Sequence, residues 1–168
     1  MTRRSRRPRL GDIPRAMIRA AVEFAALFNG RYQRGEGAHV LAVDDEDRIL
    51  VVRTTYLGPH WMLPGGRVER NEAPHVAAAR EVREETGLLV DVDDLALLDA
   101  RTSSGVSYVF RGHVVGGQLA PQFGEIAEVG WVSRSEIAAT STGLDALLRS
   151  IDEAGERVVY LGITRQAP

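Results

Sequence analysis

The chain has 168 residues, room for one domain of ordinary size, and its 44% hydrophobic and 26% charged residues suit a packed core. It contains no cysteine, which excludes disulfides, thiolate zinc sites, iron–sulfur clusters and thiol nucleophiles, so any metal must be held by oxygen or imidazole. The formal net charge of -2 hides an asymmetry: residues 1–34 carry nine Arg against Asp12 and Glu23, a local +7 that leaves −9 on residues 35–168.

Residues 1–11, with Arg3, Arg4, Arg6, Arg7 and Arg9, read as a basic disordered tail. Residues 12–34 read as an amphipathic helix and linker, the helix opened by Pro14 and ended at Asn29-Gly30. Arg15, Arg19 and Glu23 fall four apart on one polar stripe, while Met17, Ile18, Val22, Phe24 and Phe28 crowd the rest. Such a face needs cover, from the main domain, from a dimer partner or, as the alternative, from a membrane surface. Arg19 and Glu23 interrupt the apolar run, so a secretory signal is not expected. With no run of ~18 apolar residues either, the expected location is cytoplasmic.

From residue 35 the texture changes. His39-Val40-Leu41-Ala42-Val43 and Ile49-Leu50-Val51-Val52, joined by the acidic turn at residues 44–47, predict a β-hairpin. The acidic tetrad lacks the glycine and distal Glu of a calcium loop and reads as a solvated turn. Leu63-Pro64-Gly65-Gly66, followed by residues 67–72, predicts a loop. Pro74 in a first turn and Gly87 as a stop delimit a helix from near Ala73 to Thr86. Strands are then expected at 95–98, 107–115 and 128–132, helices near 133–139 and 144–152, and a last strand at 158–163.

On the helix ending at Thr86, turns of ~100° per residue put Glu81, Glu84 and Glu85 within an arc of about 100°. Like charges at i,i+3 and i,i+4 cost ~0.2–0.5 kcal/mol each, and Arg80 alone cannot neutralise three carboxylates. The face is either a solvated acidic surface or a site for a hard divalent cation, Mg²⁺ or Mn²⁺.

Gly66, then Glu72, then Arg80-Glu81-Val82-Arg83-Glu84-Glu85-Thr86-Gly87-Leu88 resembles the Nudix box, with all nine specified positions filled over 23 residues. A hairpin and Trp61-Met62-Leu63-Pro64-Gly65 lead in, and a Glu125…Trp131 segment follows, so the resemblance spans about residues 36–164. It implies an α/β fold, a Nudix-type α/β/α sandwich with a mixed β-sheet, here preceded by the N-terminal helical extension, with residues 35–168 as the hydrolase domain. It implies that Glu84 and Glu85 ligate magnesium and that Glu81 is a ligand or the base that prepares the attacking water. Arg80 would orient Glu84 and pair with Glu72, the Gly66 region would offer a carbonyl to the metal, and Gly87 would support the site. A cation bridging a diphosphate would offset the charge that repels an anionic nucleophile and acidify bound water.

Glu125 is a further candidate metal ligand or base, with a solvated loop Glu as the alternative and Glu128 as a competitor. Arg67 and Tyr108 are candidate substrate contacts, and Trp61 either stacks on a nucleobase or belongs to the core or rim. The four histidines show no ligand spacing and receive no role.

The function implied is Mg²⁺-dependent hydrolysis of a nucleoside diphosphate linked to another moiety, a nucleoside triphosphate or a nucleotide sugar. The alternatives are a nucleotide-binding regulatory module without turnover and an RNA 5′-end pyrophosphohydrolase. Expected partners are a nucleotide-type small molecule and, as a candidate assembly, a homodimer. Neither a membrane nor a nucleic acid is expected.

Overall fold

The computed structural model describes residues 35–55, 60–100, 105–121 and 124–162. The tail, the expected helix at 14–28 and the last residue of the strand expected at 158–163 lie outside them. Among the described residues, seven strands and three helices follow in the order β1 (Gly35–Ala42), β2 (Arg48–Thr54), β3 (Gly65–Arg67), α1 (Pro74–Thr86), β4 (Leu88–Ala100), β5 (Gly105–Gly117), β6 (Ile126–Ser133), α2 (Arg134–Thr140), α3 (Thr142–Ala154) and β7 (Val159–Gly162).

A mixed five-stranded sheet has the order β3-β1-β5-β4-β7, with β1 parallel to β5 and β7 parallel to β4, while β2 and β6 form an antiparallel pair of their own. Strand alternation then sorts the side chains by face. Ala38, Val40 and Ala42 of β1 point one way, onto Ala77, Ala78 and Val82 of α1. Leu41, with Leu97 and Val109, points the other way, onto Ile137 of α2 and Leu144, Leu147, Leu148 and Ile151 of α3. The spacing of the four α3 residues gives one apolar stripe, and each fully buried aliphatic side chain contributes ~1.5–3 kcal/mol. The result is an α/β/α sandwich on a mixed sheet.

Two expectations are corrected. The hairpin of β1 and β2 is not a paired hairpin: the strands belong to different sheets and share only the Val43–Ile49 bridge. Between them the acidic residues form a turn, in which the Asp44 carboxylate accepts the Glu46 and Arg48 amides at 3.0 and 2.8 Å. Nor is Gly65-Gly66 loop throughout, because residues 65–67 pair antiparallel with Gly37–His39 as β3.

α1 begins and ends where its sequence requires. Pro74 occupies the first turn, where its missing N–H costs no bond. Gly87 caps the helix at φ 75°, its N–H donating to the Arg83 carbonyl at 2.9 Å, and a Cβ there would strike the Gln118 carbonyl. The α2 start carries the S-x-x-E pattern, with Ser133 accepting the Glu136 amide at 3.3 Å. No helix among the described residues is long and apolar enough to cross a membrane.

Candidate active site

The three carboxylates of α1 differ sharply in environment. Glu85 faces the core, 1% exposed, and its Oε2 accepts the Gly65 amide of β3 at 2.8 Å. The Glu84 side chain is half exposed, and that of Glu81 is 13% exposed. A solvated acidic face would not bury one acid fully and another nearly so, since a buried carboxylate costs several kcal/mol unless bonded.

Arg80 ties the group together. Its Nε and Nη2 donate to both oxygens of Glu72 at 2.9 Å, and its Nη1 donates to Glu81 at 3.0 Å and to Glu84 at 3.2 Å. Nη2 also donates to the Arg67 backbone carbonyl at 2.9 Å. These bonds, those of Glu72 first, raise the Arg80 pKa further above its already high value. Reciprocally, the Arg80 hydrogen bonds, aided by the Glu69 amide, hold Glu72 below the usual carboxylate range against the opposing effect of burial.

Gly66 explains why a glycine stands beside these acids. A Cβ built on it would overlap the Glu81 carboxylate, so the absent side chain is the space that carboxylate occupies. Gly66 pairs with Ala38, on the face of β1 that α1 covers, whereas Arg67 pairs with Gly37 and sends its side chain to the opposite face. The structure therefore joins Arg67 to the cluster through its carbonyl and not through its guanidinium.

The remaining candidates lie apart. Trp61 is 5% exposed, packs among the core residues beneath α2 and α3, and carries Arg53 over its ring at 4.9 Å. Tyr108, on β5 beside Ala38, stacks on Phe110 with centroids 6.3 Å apart. Burial raises its pKa, as do the negative charge of Glu36 and a hydrogen bond to it. Glu125 is exposed at the entry to β6, where its backbone carbonyl accepts the Thr55 amide at 3.0 Å. Glu128 pairs with Arg53 across β2 and β6.

The Gly65 amide and the Arg67 carbonyl belong to the cluster although neither stood out in the sequence. The glycine pair hinted at the first; nothing in a side-chain pattern reveals the second. Among the described residues no three carboxylates or imidazoles converge on one point as a ready-made metal site. The acids lean instead on Arg80 and on Gly65.

A profile of the NUDIX domain matches residues 33–151. A MutT-like protein of Streptomyces ambofaciens is 36% identical over 121 residues, covering 70% of this chain and 77% of that protein. The mouse 8-oxo-dGDP phosphatase NUDT18 is 30% identical over 128 residues, covering 72% of this chain but only 40% of its own length. Among solved structures, a NUDIX hydrolase from Nitrosomonas europaea superposes with a TM-score of 0.63 at 27% identity, covering 79% of this chain and 80% of that one.

Proposed function

The chain belongs to the NUDIX domain family and is a MutT-like pyrophosphohydrolase, and from that premise we propose Mg²⁺-dependent hydrolysis of a nucleoside diphosphate linked to another moiety, of the nucleoside triphosphate or nucleotide-sugar kind. The observation that carries this reading is the single guanidinium of Arg80 shared among Glu72, Glu81 and Glu84, beside a buried Glu85. More acid is held here than Arg80 neutralises, and every side-chain donor is oxygen, a set that suits a hard divalent cation.

Glu84 and Glu85, with the Gly66 carbonyl, are the proposed holders of Mg²⁺ or Mn²⁺, and Glu125 is a further one from the β6 side. Bound there, the cation would offset charge on the diphosphate oxygens. The chain's own residues divide the remaining work. Glu81 accepts a proton from the attacking water, its carboxylate fixed between the Gly66 backbone and Arg80 Nη1. Arg80 holds Glu81 and Glu84 in place, and Glu72 holds Arg80, so the acids need little reorganisation as charge develops. Trp61 supports the entry to β3 from within the core.

Oxidised purine nucleotides come first among substrates because the mouse relative acts on 8-oxo-dGDP. The test is a panel of nucleoside triphosphates, 8-oxo-dGTP, 8-oxo-dGDP, nucleotide sugars, ADP-ribose and 5′-triphosphate RNA, with released phosphate and nucleoside monophosphate measured. Turnover of a small nucleotide is the expected result. Tight nucleotide binding with no turnover would favour the regulatory-module reading, and turnover of RNA alone would favour 5′-end processing.

A further inference from the structure

The two faces of the five-stranded sheet are covered unequally. On one face α2 and α3 close the core over Leu97, Val109 and Leu41. On the other, among the described residues, α1 is the one helix, lying over β1, β3 and β4, with Leu50 of β2 and Val129 and Trp131 of β6 joining the same core. Five strands ~4.8 Å apart span ~19 Å, and one helix of ~10–12 Å diameter covers only about half of that.

Beyond α1 the face is largely apolar and aromatic, bordered by Phe110, which meets His75 of α1 edge-on, and by Glu36, which is hydrogen-bonded to Tyr108. Tyr108 and Leu98 are register partners, and Leu98 in turn pairs with Tyr160, so these three side chains form a row across β5, β4 and β7 on the α1 side. Val106 and Phe110 flank Tyr108 along β5 on the same face. Tyr160 is 66% exposed, while its neighbours Val159 and Leu161 point the other way and pack on the opposite core. A second helix beside α1 would complete this layer.

We propose that residues 14–28 of this same chain form that helix and dock on the row Tyr108–Leu98–Tyr160, beside α1. The sequence supplies the matching surface: Met17, Ile18, Val22, Phe24 and Phe28 surround a polar stripe of only Arg15, Arg19 and Glu23. The chain also enters in the right place. β1 begins at Gly35 opposite Gly105, three residues from Tyr108 along β5. Residues 29–34 reach ~20 Å when extended, enough to cross the ~14 Å from β1 to β7. An intramolecular docking needs no second molecule and leaves Arg15 and Arg19 facing solvent.

The absence of native cysteine allows a direct test in the full-length chain. Ala21→Cys or Ala25→Cys is combined with Tyr160→Cys, or with Arg149→Cys on the far face as a control, and treated with a short bismaleimide at low protein concentration. Cross-linking within the monomer to position 160 and not to 149 is the expected result. A cross-linked dimer would overturn the proposal in favour of a second copy, and no cross-link with binding to anionic vesicles would overturn it in favour of a membrane. Independently, Ile18→Asp with Phe24→Asp should lower Tm by several degrees and speed amide exchange in β5 and β7. Unchanged Tm and exchange would also overturn it.

Discussion

Arg80 and Glu72, eight residues apart, meet guanidinium to carboxylate with two parallel bonds of 2.9 Å. Glu72 is in the segment before α1 and Arg80 is on its second turn, so the pair ties that segment to the helix while the other edge of the guanidinium reaches Glu81 and Glu84. A bidentate fork is needed because one group must satisfy three acids and a carbonyl. Lysine offers a point charge without the fork. Arg80→Lys should therefore lower kcat tenfold or more with a smaller change in KM, and steady-state kinetics across the substrate panel check this.

Glu72 also makes a prediction in pH. Its folded pKa is depressed, by the Arg80 bonds first, so its contribution to stability is complete above the ordinary glutamate value of about 4.5. That contribution is lost as pH falls through the lower folded value. Melting curves of the wild type and Glu72→Gln should differ at neutral pH and converge below about pH 4. A gap that persisted unchanged at low pH would show that the ion pair is not what Glu72 supplies.

How much of this was legible in the sequence depends on whether the interaction was local. The limits of α1 follow from Pro74 and Gly87, residues whose backbones permit little else. Pairing within α1, such as Arg80 to Glu84, follows from helical spacing. The partners of β1 do not: alternation identifies a strand but not its neighbours, and β1 pairs with β5, some 70 residues away, in place of β2. β3 escaped because Gly65 and Gly66 have low strand propensity, yet their backbone groups still complete a ladder with β1. The Arg67 carbonyl was invisible for the same reason, since a residue type says nothing about its backbone's partners.

Gly66 can be tested by adding one methyl. Gly66→Ala places a Cβ where the Glu81 carboxylate now sits, and overpacking of this kind costs ~1–3 kcal/mol. The variant should fold with a lower Tm and lose at least tenfold in kcat as Glu81 is displaced. Shortening the acid should relieve the clash, so Gly66→Ala with Glu81→Asp should recover part of the lost Tm without recovering the rate. Additive Tm losses in the double variant would mean that the two residues do not touch in this way.

Glu84 and Glu85 separate charge from packing. Glu84→Gln changes an exposed side chain and should leave Tm within the small range of surface substitutions, while lowering kcat a hundredfold or more if the carboxylate holds the cation. Glu85→Gln should lower kcat as much, but its amide oxygen can still accept the Gly65 amide, so the fold should survive. Near-normal rates in both variants, with unchanged metal dependence, would remove these residues from the proposed ligand set.

Removing the metal should be visible without any substrate. Glu81 and Glu84 share the Arg80 guanidinium, and Glu85 rests on a backbone amide, so the cluster holds more negative charge than Arg80 offsets. A cation that binds only the folded protein stabilises it by ~2.7 kcal/mol at a hundredfold excess over Kd. For a domain of this size that corresponds to a rise in Tm of ~5–10 °C. Mg²⁺ or Mn²⁺ should therefore raise Tm, excess chelator should reverse the rise and abolish turnover, and Glu84→Gln should blunt the shift. Full turnover in excess chelator would sink the metal mechanism. A metal-induced rise in Tm of wild-type size in both Glu84→Gln and Glu85→Gln would instead move the cation to other residues.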